Sequence, residues 1–303
     1  MESDIAKRIL TAVKRASHER EQVQIVLKGQ YLEAYELLKD AETAGLTPAI
    51  IGPPGVGKTL LCRYYAMMTG RPFFWVTLDE GTKPSHLIGS FNPAVVLEKG
   101  FTIEAFEPGP LTLAMVTGGV FVANELNRAS EYVQNVFLEP LEERSYYIPH
   151  IGRIKADSSF FFIASMNPAE LAGVHRMSEA LRDRIQVWIT LTYPDKDTEL
   201  EIVRLHCREH YIPDDILEKI YAIVARTRSH SAIEKPASIR ATVSIAKLAA
   251  EHIKREGSID DKELSKIARH VLIGSIKTRP GIKREEVVNS IIEDVLKAKE
   301  AIG

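Results

Sequence analysis

Gly52-Pro53-Pro54-Gly55-Val56-Gly57-Lys58-Thr59 is the stretch on which the reading of this chain turns. It fits G-x-x-x-x-G-K-[ST] in full, with the apolar run Ala49-Ile50-Ile51 before it and an amphipathic stretch from Leu60 to Met68 after it. Strand, glycine-rich loop and helix in that order make a phosphate cradle. The glycines let backbone N–H groups turn inward without Cβ clashes, and the helix N-terminus adds its positive dipole at the same point. Lys58 would bring a point charge to the β- and γ-phosphates, and Thr59 a hydroxyl to Mg²⁺. The run Gly52, Pro53, Pro54, Gly55, Val56, Gly57, Lys58, Thr59, with Leu60 opening the helix, is therefore the expected contact for ATP and its Mg²⁺.

Outward from this loop, short apolar runs alternate with helical patterns. The runs are Phe73–Thr77, Gly119–Ala123, Ser159–Ala164 and Ile185–Leu191. Short buried strands separated by helices predict a mostly parallel sheet flanked by helices. Before the loop, Ile5, Ile9, Leu10, Val13, Val23, Val26 and Leu27 recur at helical spacing, so a helix is expected over about 3–40. From Asp195 onward the strand signal stops, and Pro213, Pro236, Gly257 and Pro280 punctuate helical patterns. The expected fold is an α/β domain over about 1–192, followed by a smaller all-helical domain over 193–303. Two hairpins are expected within the first domain, at 94–106 and 145–156, where β-branched and aromatic residues flank turn residues.

Composition narrows the function classes. The chain has 303 residues, 45% hydrophobic and 26% charged, which excludes a disordered or fibrous protein. Lys+Arg 39 against Asp+Glu 41 gives a net charge of -2, so a generally basic nucleic-acid binder is disfavoured. Two cysteines, Cys62 and Cys207, stand far apart outside any CxxC pattern, which fits a reducing compartment. No apolar run reaches transmembrane length, and Met1 to Arg20 is charged throughout. A cytoplasmic protein without membrane insertion is expected.

A phosphate cradle binds nucleotide; hydrolysis needs an acid near the metal and a base to orient water. Gly119-Val120-Phe121-Val122-Ala123-Asn124-Glu125 supplies a buried strand with polar residues at its tip. Glu125 is the expected base. Asn124 stands where a carboxylate is usual; it keeps a carbonyl acceptor near the metal but loses a negative charge. Asp79 and Glu80, just past the second strand, are the candidates to compensate.

These residues resemble the AAA+ ATPases, and within them the MoxR-type family of the helix-2-insert clade. Val120–Glu125 runs into Leu126-Asn127-Arg128-Ala129, much like the family's "DEINRA" signature. Gln134–Glu143 resembles the helical segment that follows there. Ala164-Ser165-Met166-Asn167-Pro168 matches the sensor 1 strand, and Leu181-Arg182-Asp183-Arg184-Ile185, preceded by Ser178-Glu179-Ala180, the arginine-finger box. Pro236-Ala237-Ser238-Ile239-Arg240-Ala241-Thr242 resembles the start of the sensor 2 helix. The resemblance covers nearly the whole chain. It implies that Asn167 touches the γ-phosphate or attacking water and that Arg184 reaches a neighbouring subunit's ATP. Arg182 is a second candidate for that reach, on Arg184's face only if the segment is extended. Arg240 would touch phosphate, in cis or in trans. His86 stands where an acidic residue is expected before Leu87-Ile88-Gly89, and the sequence assigns it no role.

The resemblance further implies a ring, a hexamer, that remodels or activates a protein client, with a partner carrying a von Willebrand factor A domain. The hairpins would then face the ring's pore, with Phe101, Tyr146 and Tyr147 either touching the client or packing on the domain. The alternative class is a nucleic-acid motor, to which Arg144, His150, Arg153 and Lys155 would lend a modest basic face. A small-molecule kinase is a third class, opposed by the paired arginines and the helical second domain.

Overall fold

The computed structural model describes residues 23–167, 177–209 and 211–300. The chain divides into two compact units. The first gathers Gln30–Pro53 and Gly57–Leu191; the second gathers Ile25–Gly29, Pro54–Val56 and the chain from Thr192 onward.

The first unit is organised by a five-stranded sheet. In chain order its strands are β1 (Pro48–Ile51), β2 (Phe73–Thr77), β5 (Val120–Asn124), β8 (Phe161–Met166) and β9 (Val187–Thr190), and their spatial order is β2-β5-β8-β1-β9. Every pairing in it is parallel. Central position explains the sequences: β8 reads FFIASM and is buried at every residue, as a strand covered on both faces must be. Phe121, Phe137 and Phe162 fill the layer beside it, with ring centroids 5.3–6.1 Å apart. The edge strands are more open. Trp75 on β2 stacks on Phe73 and lies under the Arg63 guanidinium, while Trp188 on β9 donates its indole N–H to the carbonyl of Ile185.

Three smaller strand pairs accompany the sheet strands among the described residues. β3 (Gly89–Phe91) pairs antiparallel with β4 (Phe106–Pro108), and β6 (Ser145–Ile148) with β7 (Gly152–Lys155). The hairpin expected at 94–106 is therefore not formed. The segment holds the helix Pro93–Lys99, and the paired strands flank it. Asn92 caps that helix by accepting from the Ala94 N–H, Pro93 opens it and Gly100 ends it with φ 77. These local signals outweigh the β-branched pair Val95-Val96.

The helix expected over 3–40 is also corrected. Residues 3–22 lie outside the described residues, Val23–Lys28 has no regular structure, and the helix runs over Gln30–Thr43. The second unit is built on the helices Lys196–His206, Asp214–Ser229, Ile239–Glu256, Asp261–Ser275 and Arg284–Glu300. Its core is aliphatic, centred on Ile220, Ile223, Val224, Ile245, Leu264 and Leu272. One short antiparallel ribbon, β10 (Ile233–Lys235) with β11 (Lys277–Thr278), interrupts the helices.

Candidate functional site

Open parallel sheets bind ligands beyond the C-terminal ends of their strands. Here β1, β8 and β5 end side by side, each followed by residues of the expected site. The helix Lys58–Met68 starts directly after the loop, with Gly57 as its cap at φ 91. A left-handed backbone there is open to glycine and strained for other residues. The N–H of Gly52 donates to the carbonyl of Met166, tying the loop's first glycine to the end of β8.

Lys58 is buried at 8% exposure, and its ammonium group is well supplied with acceptors. It donates to the carbonyls of Gly52 (2.6 Å) and Pro53 (3.1 Å) and to Oδ1 of Asn167 (2.7 Å). The loop lysine and the expected sensor asparagine, 109 residues apart in sequence, are thus joined by one hydrogen bond. Pro168, the last residue of the sensor stretch, lies outside the described residues.

Glu125 follows β5 in the left-handed region, at φ 55 and ψ 40. Such a conformation costs on the order of 1–3 kcal/mol in a non-glycine residue and gathers at functional sites. Its carboxylate accepts from Arg128 at 2.7 Å, in an ion pair open to solvent at both ends. Two residues on from Glu125, the amide of Asn127 is buried without a hydrogen-bond partner, as is the hydroxyl of Ser165 on β8.

The residues near the expected metal are sparsely charged. Asn124 donates its amide to the Thr77 hydroxyl at 3.2 Å across the β2–β5 pairing. Asp79 is engaged by the Thr82 hydroxyl at 2.8 Å, and that hydrogen bond holds its carboxyl below the usual range. Among the described residues no group of three or more His, Cys, Asp or Glu side chains forms a metal cage. This sparse donor set fits a hard cation that keeps its waters and is held chiefly by nucleotide phosphates; the Thr59 hydroxyl and Asn124 Oδ1 would be the protein's oxygens.

The expected finger residues lie on the helix Glu179–Arg184, capped by the Ser178 hydroxyl. Because the segment is helical, Arg182 and Arg184 are about 200° apart and share no face. Arg182 is exposed. Arg184 donates to the Ala180 carbonyl at 2.8 Å and pairs with Glu142 of the helix Leu138–Glu142.

In the second unit, Arg240 is exposed in the first turn of the helix Ile239–Glu256. Gly55, whose φ is +79, lies against the start of that helix. A Cβ added there would stand 2.7 Å from Cβ and Oγ of Ser238 and 3.7 Å from Cγ of Arg240. Both the backbone angle and the close approach require glycine.

The remaining expectations divide. Tyr146 is buried, with its hydroxyl on that of Thr112, so of its two expected roles it takes packing on the domain. Tyr147 and Phe101 are exposed, and Phe101 stacks on His150 at 4.6 Å. Arg144 donates to the carbonyls of Asp157, Ser158 and Phe160, and Arg153 to the Ser145 hydroxyl. Those two arginines therefore brace the hairpin. His86 takes up the Lys83 N–H through Nδ1, at 3.3 Å, and closes the first turn of the helix Pro84–Ile88.

Sequence reasoning quoted Arg128, Glu142 and Ser238 within their motifs but gave none of them a contact. That of Arg128 was accessible, since it stands three residues after Glu125 in a turn. Those of the other two depend on tertiary packing.

Known proteins resemble this chain in sequence and in fold. Residues 49–185 match the AAA domain of the dynein-related subfamily. The chain is 29% identical over 260 residues to the gas vesicle ATPase GvpN1 of Halobacterium salinarum, which spans 80% of this chain and 72% of that protein. It is 33% identical over 153 residues to the chaperone MoxR1 of Mycobacterium tuberculosis, which spans 50% of this chain and 38% of that protein. In fold it resembles a RuvB mutant of Thermotoga maritima, with a TM-score of 0.53 at 19% identity over 80% of this chain and 70% of that one.

Proposed function

We propose, for a chain that belongs to the MoxR-type AAA+ ATPases, that its hydrolysis of ATP drives the remodelling or activation of a protein client. The observation that carries the ATP-hydrolysing part of this reading is the meeting of Lys58 with Asn167, at the joint of the phosphate loop and β8. That bond brings two groups suited to a γ-phosphate within reach of each other, one strand from the tip that bears Glu125.

In this reading Lys58 neutralises the β- and γ-phosphates, and Glu125 accepts a proton from the attacking water. Asn167 orients the γ-phosphate or that water. Magnesium, when bound, supplies charge neutralisation between the phosphates. Thr59 and Asn124 would hold it, and Asn124 contributes no charge. Arg184, or Arg182 from the other face of its helix, serves a neighbouring subunit by stabilising charge on the transferred phosphoryl group. Arg240 touches phosphate from the helix Ile239–Glu256. Members of this ATPase class typically form ring oligomers, and we read this chain as a hexamer in the cytoplasm, working with a von Willebrand factor A domain partner.

Two relatives support a protein client, since one is named as a chaperone and another as the ATPase of a gas vesicle. The nucleic-acid alternative is weakened because Arg144 and Arg153 are occupied within the hairpin. No helix among the described residues is long and apolar enough to cross a membrane.

The test uses a trapped protein. Lys58→Ala should lose nucleotide binding, whereas Glu125→Gln should bind ATP and stop turning it over. Glu125→Gln loaded with ATP should then retain a protein partner that Lys58→Ala does not retain. Normal turnover by Glu125→Gln would remove the assignment of the base. Retention of nucleic acid in place of protein would favour the motor.

A further inference from the structure

The second unit contains an ion pair that the ATPase reading does not use. Glu199, on the helix Lys196–His206, is completely buried. Its two carboxylate oxygens accept from the two terminal nitrogens of Arg228 at 2.7 and 2.8 Å. One of them also accepts from the Thr242 hydroxyl at 2.6 Å. The Arg228 guanidinium lies over the ring of Tyr193, 4.2 Å from its centroid.

Buried ion pairs are weak stabilisers, because desolvation of both charges offsets their attraction. Their best-attested use is to fix one arrangement among several. Here the arrangement is specific. Arg228 and its neighbour Thr227 sit in the last turn of the helix Asp214–Ser229. The Thr227 hydroxyl accepts the N–H of Ala237 at 3.1 Å, and Arg228 reaches Thr242 through Glu199. Two consecutive residues thereby pin the segment 237–242 at both of its ends. Between the pins stand Ser238, which packs on Gly55, and Arg240. Thr242 is fully buried and lies about 200° around the helix from exposed Arg240. Fixing the inward face of that turn fixes where the outward arginine stands.

We infer that Glu199, Arg228 and Thr242 are positioning residues that hold Arg240 and Ser238 in register with the phosphate loop, and so set affinity for ATP. The inference rests on the reading of Arg240 as a phosphate contact. Thr242→Val is the discriminating variant. It is nearly isosteric and leaves Glu199 bound to both nitrogens of Arg228. In the whole chain Thr242→Val should raise KM for ATP about three- to tenfold, the scale of one typical net hydrogen bond, with kcat nearly unchanged. Thr242→Ser, which restores the hydroxyl, should return KM to within about twofold of the starting protein. Arg240→Ala should raise KM at least as much. The double variant should be no worse than Arg240→Ala alone, because Thr242 acts through Arg240. If Arg240→Ala raises KM while Thr242→Val does not, or if the two effects multiply, the positioning role is overturned and the Arg240 reading stands. If Arg240→Ala leaves KM unchanged, the Arg240 reading falls and takes this inference with it.

Discussion

Two of the chain's glutamate–arginine pairs put the same chemistry in opposite settings. Glu125 and Arg128 meet at a strand tip, with side chains 25% and 51% exposed. Glu199 and Arg228 meet inside a helical core, at 0% and 15%. Water screens the first pair and competes for it, so its members can exchange partners at little cost. The second pair has no such competitor, and each of its members would be an uncompensated charge without the other. One pair suits a group that must act on a ligand, the other a group that must never move. The difference teaches that solvent access, and not the residue types, decides which of the two roles an ion pair can fill.

The largest expected effect lies on the solvent-facing side. Arg184→Ala and Glu125→Gln should each abolish ATPase activity alone, and mixing the two proteins should restore part of it. In the proposed ring, mixed assemblies would contain some interfaces with both groups intact. Activity that stays at zero in mixed rings shown to form would argue against a finger acting across subunits. Next comes the fixed pair. Arg228→Ala should destabilise the protein by about 3–5 kcal/mol, because it strands the Glu199 charge, whereas Arg128→Ala should cost less than about 1 kcal/mol. Denaturant unfolding of both variants measures this directly, and equal losses would dissolve the distinction. A smaller effect is expected where charge is missing. Asn124→Asp should lower the magnesium concentration for half-maximal activity about tenfold, the equivalent of roughly 1–2 kcal/mol of screened attraction. A magnesium titration that moves by less than about twofold would point to Asp79 or Glu80 as the carboxylate already in place.

Much of the first unit was legible because its signals are local. The loop Gly52–Thr59 carries its own chemistry, and five apolar runs matched all five strands of the sheet. The site was legible as a set of residues but not as a set of bonds. Nothing in the sequence says that Asn167 meets Lys58 or that Glu142 meets Arg184, because those contacts depend on strand order and helix packing. The segment 93–99 failed for a different reason. Val95-Val96 was weighed for its β-branching, while Asn92-Pro93 ahead of it and Gly100 behind it already spelled a capped helix. The pair Glu199–Arg228 was invisible, since two charged residues on helical patterns read as surface until the fold encloses them.

The sequence's two tryptophans, Trp75 and Trp188, stand on β2 and β9, the opposite edges of the one parallel sheet. Both are partly open to solvent, at 47% and 39%, so their emission will respond when either edge is covered or frayed. The second unit has no tryptophan and is mostly helical. Fluorescence therefore follows the sheet alone, while far-ultraviolet circular dichroism is weighted toward the helices. Recording both during one denaturation would show, without any added label, whether the sheet edges loosen before the helices of the two units melt.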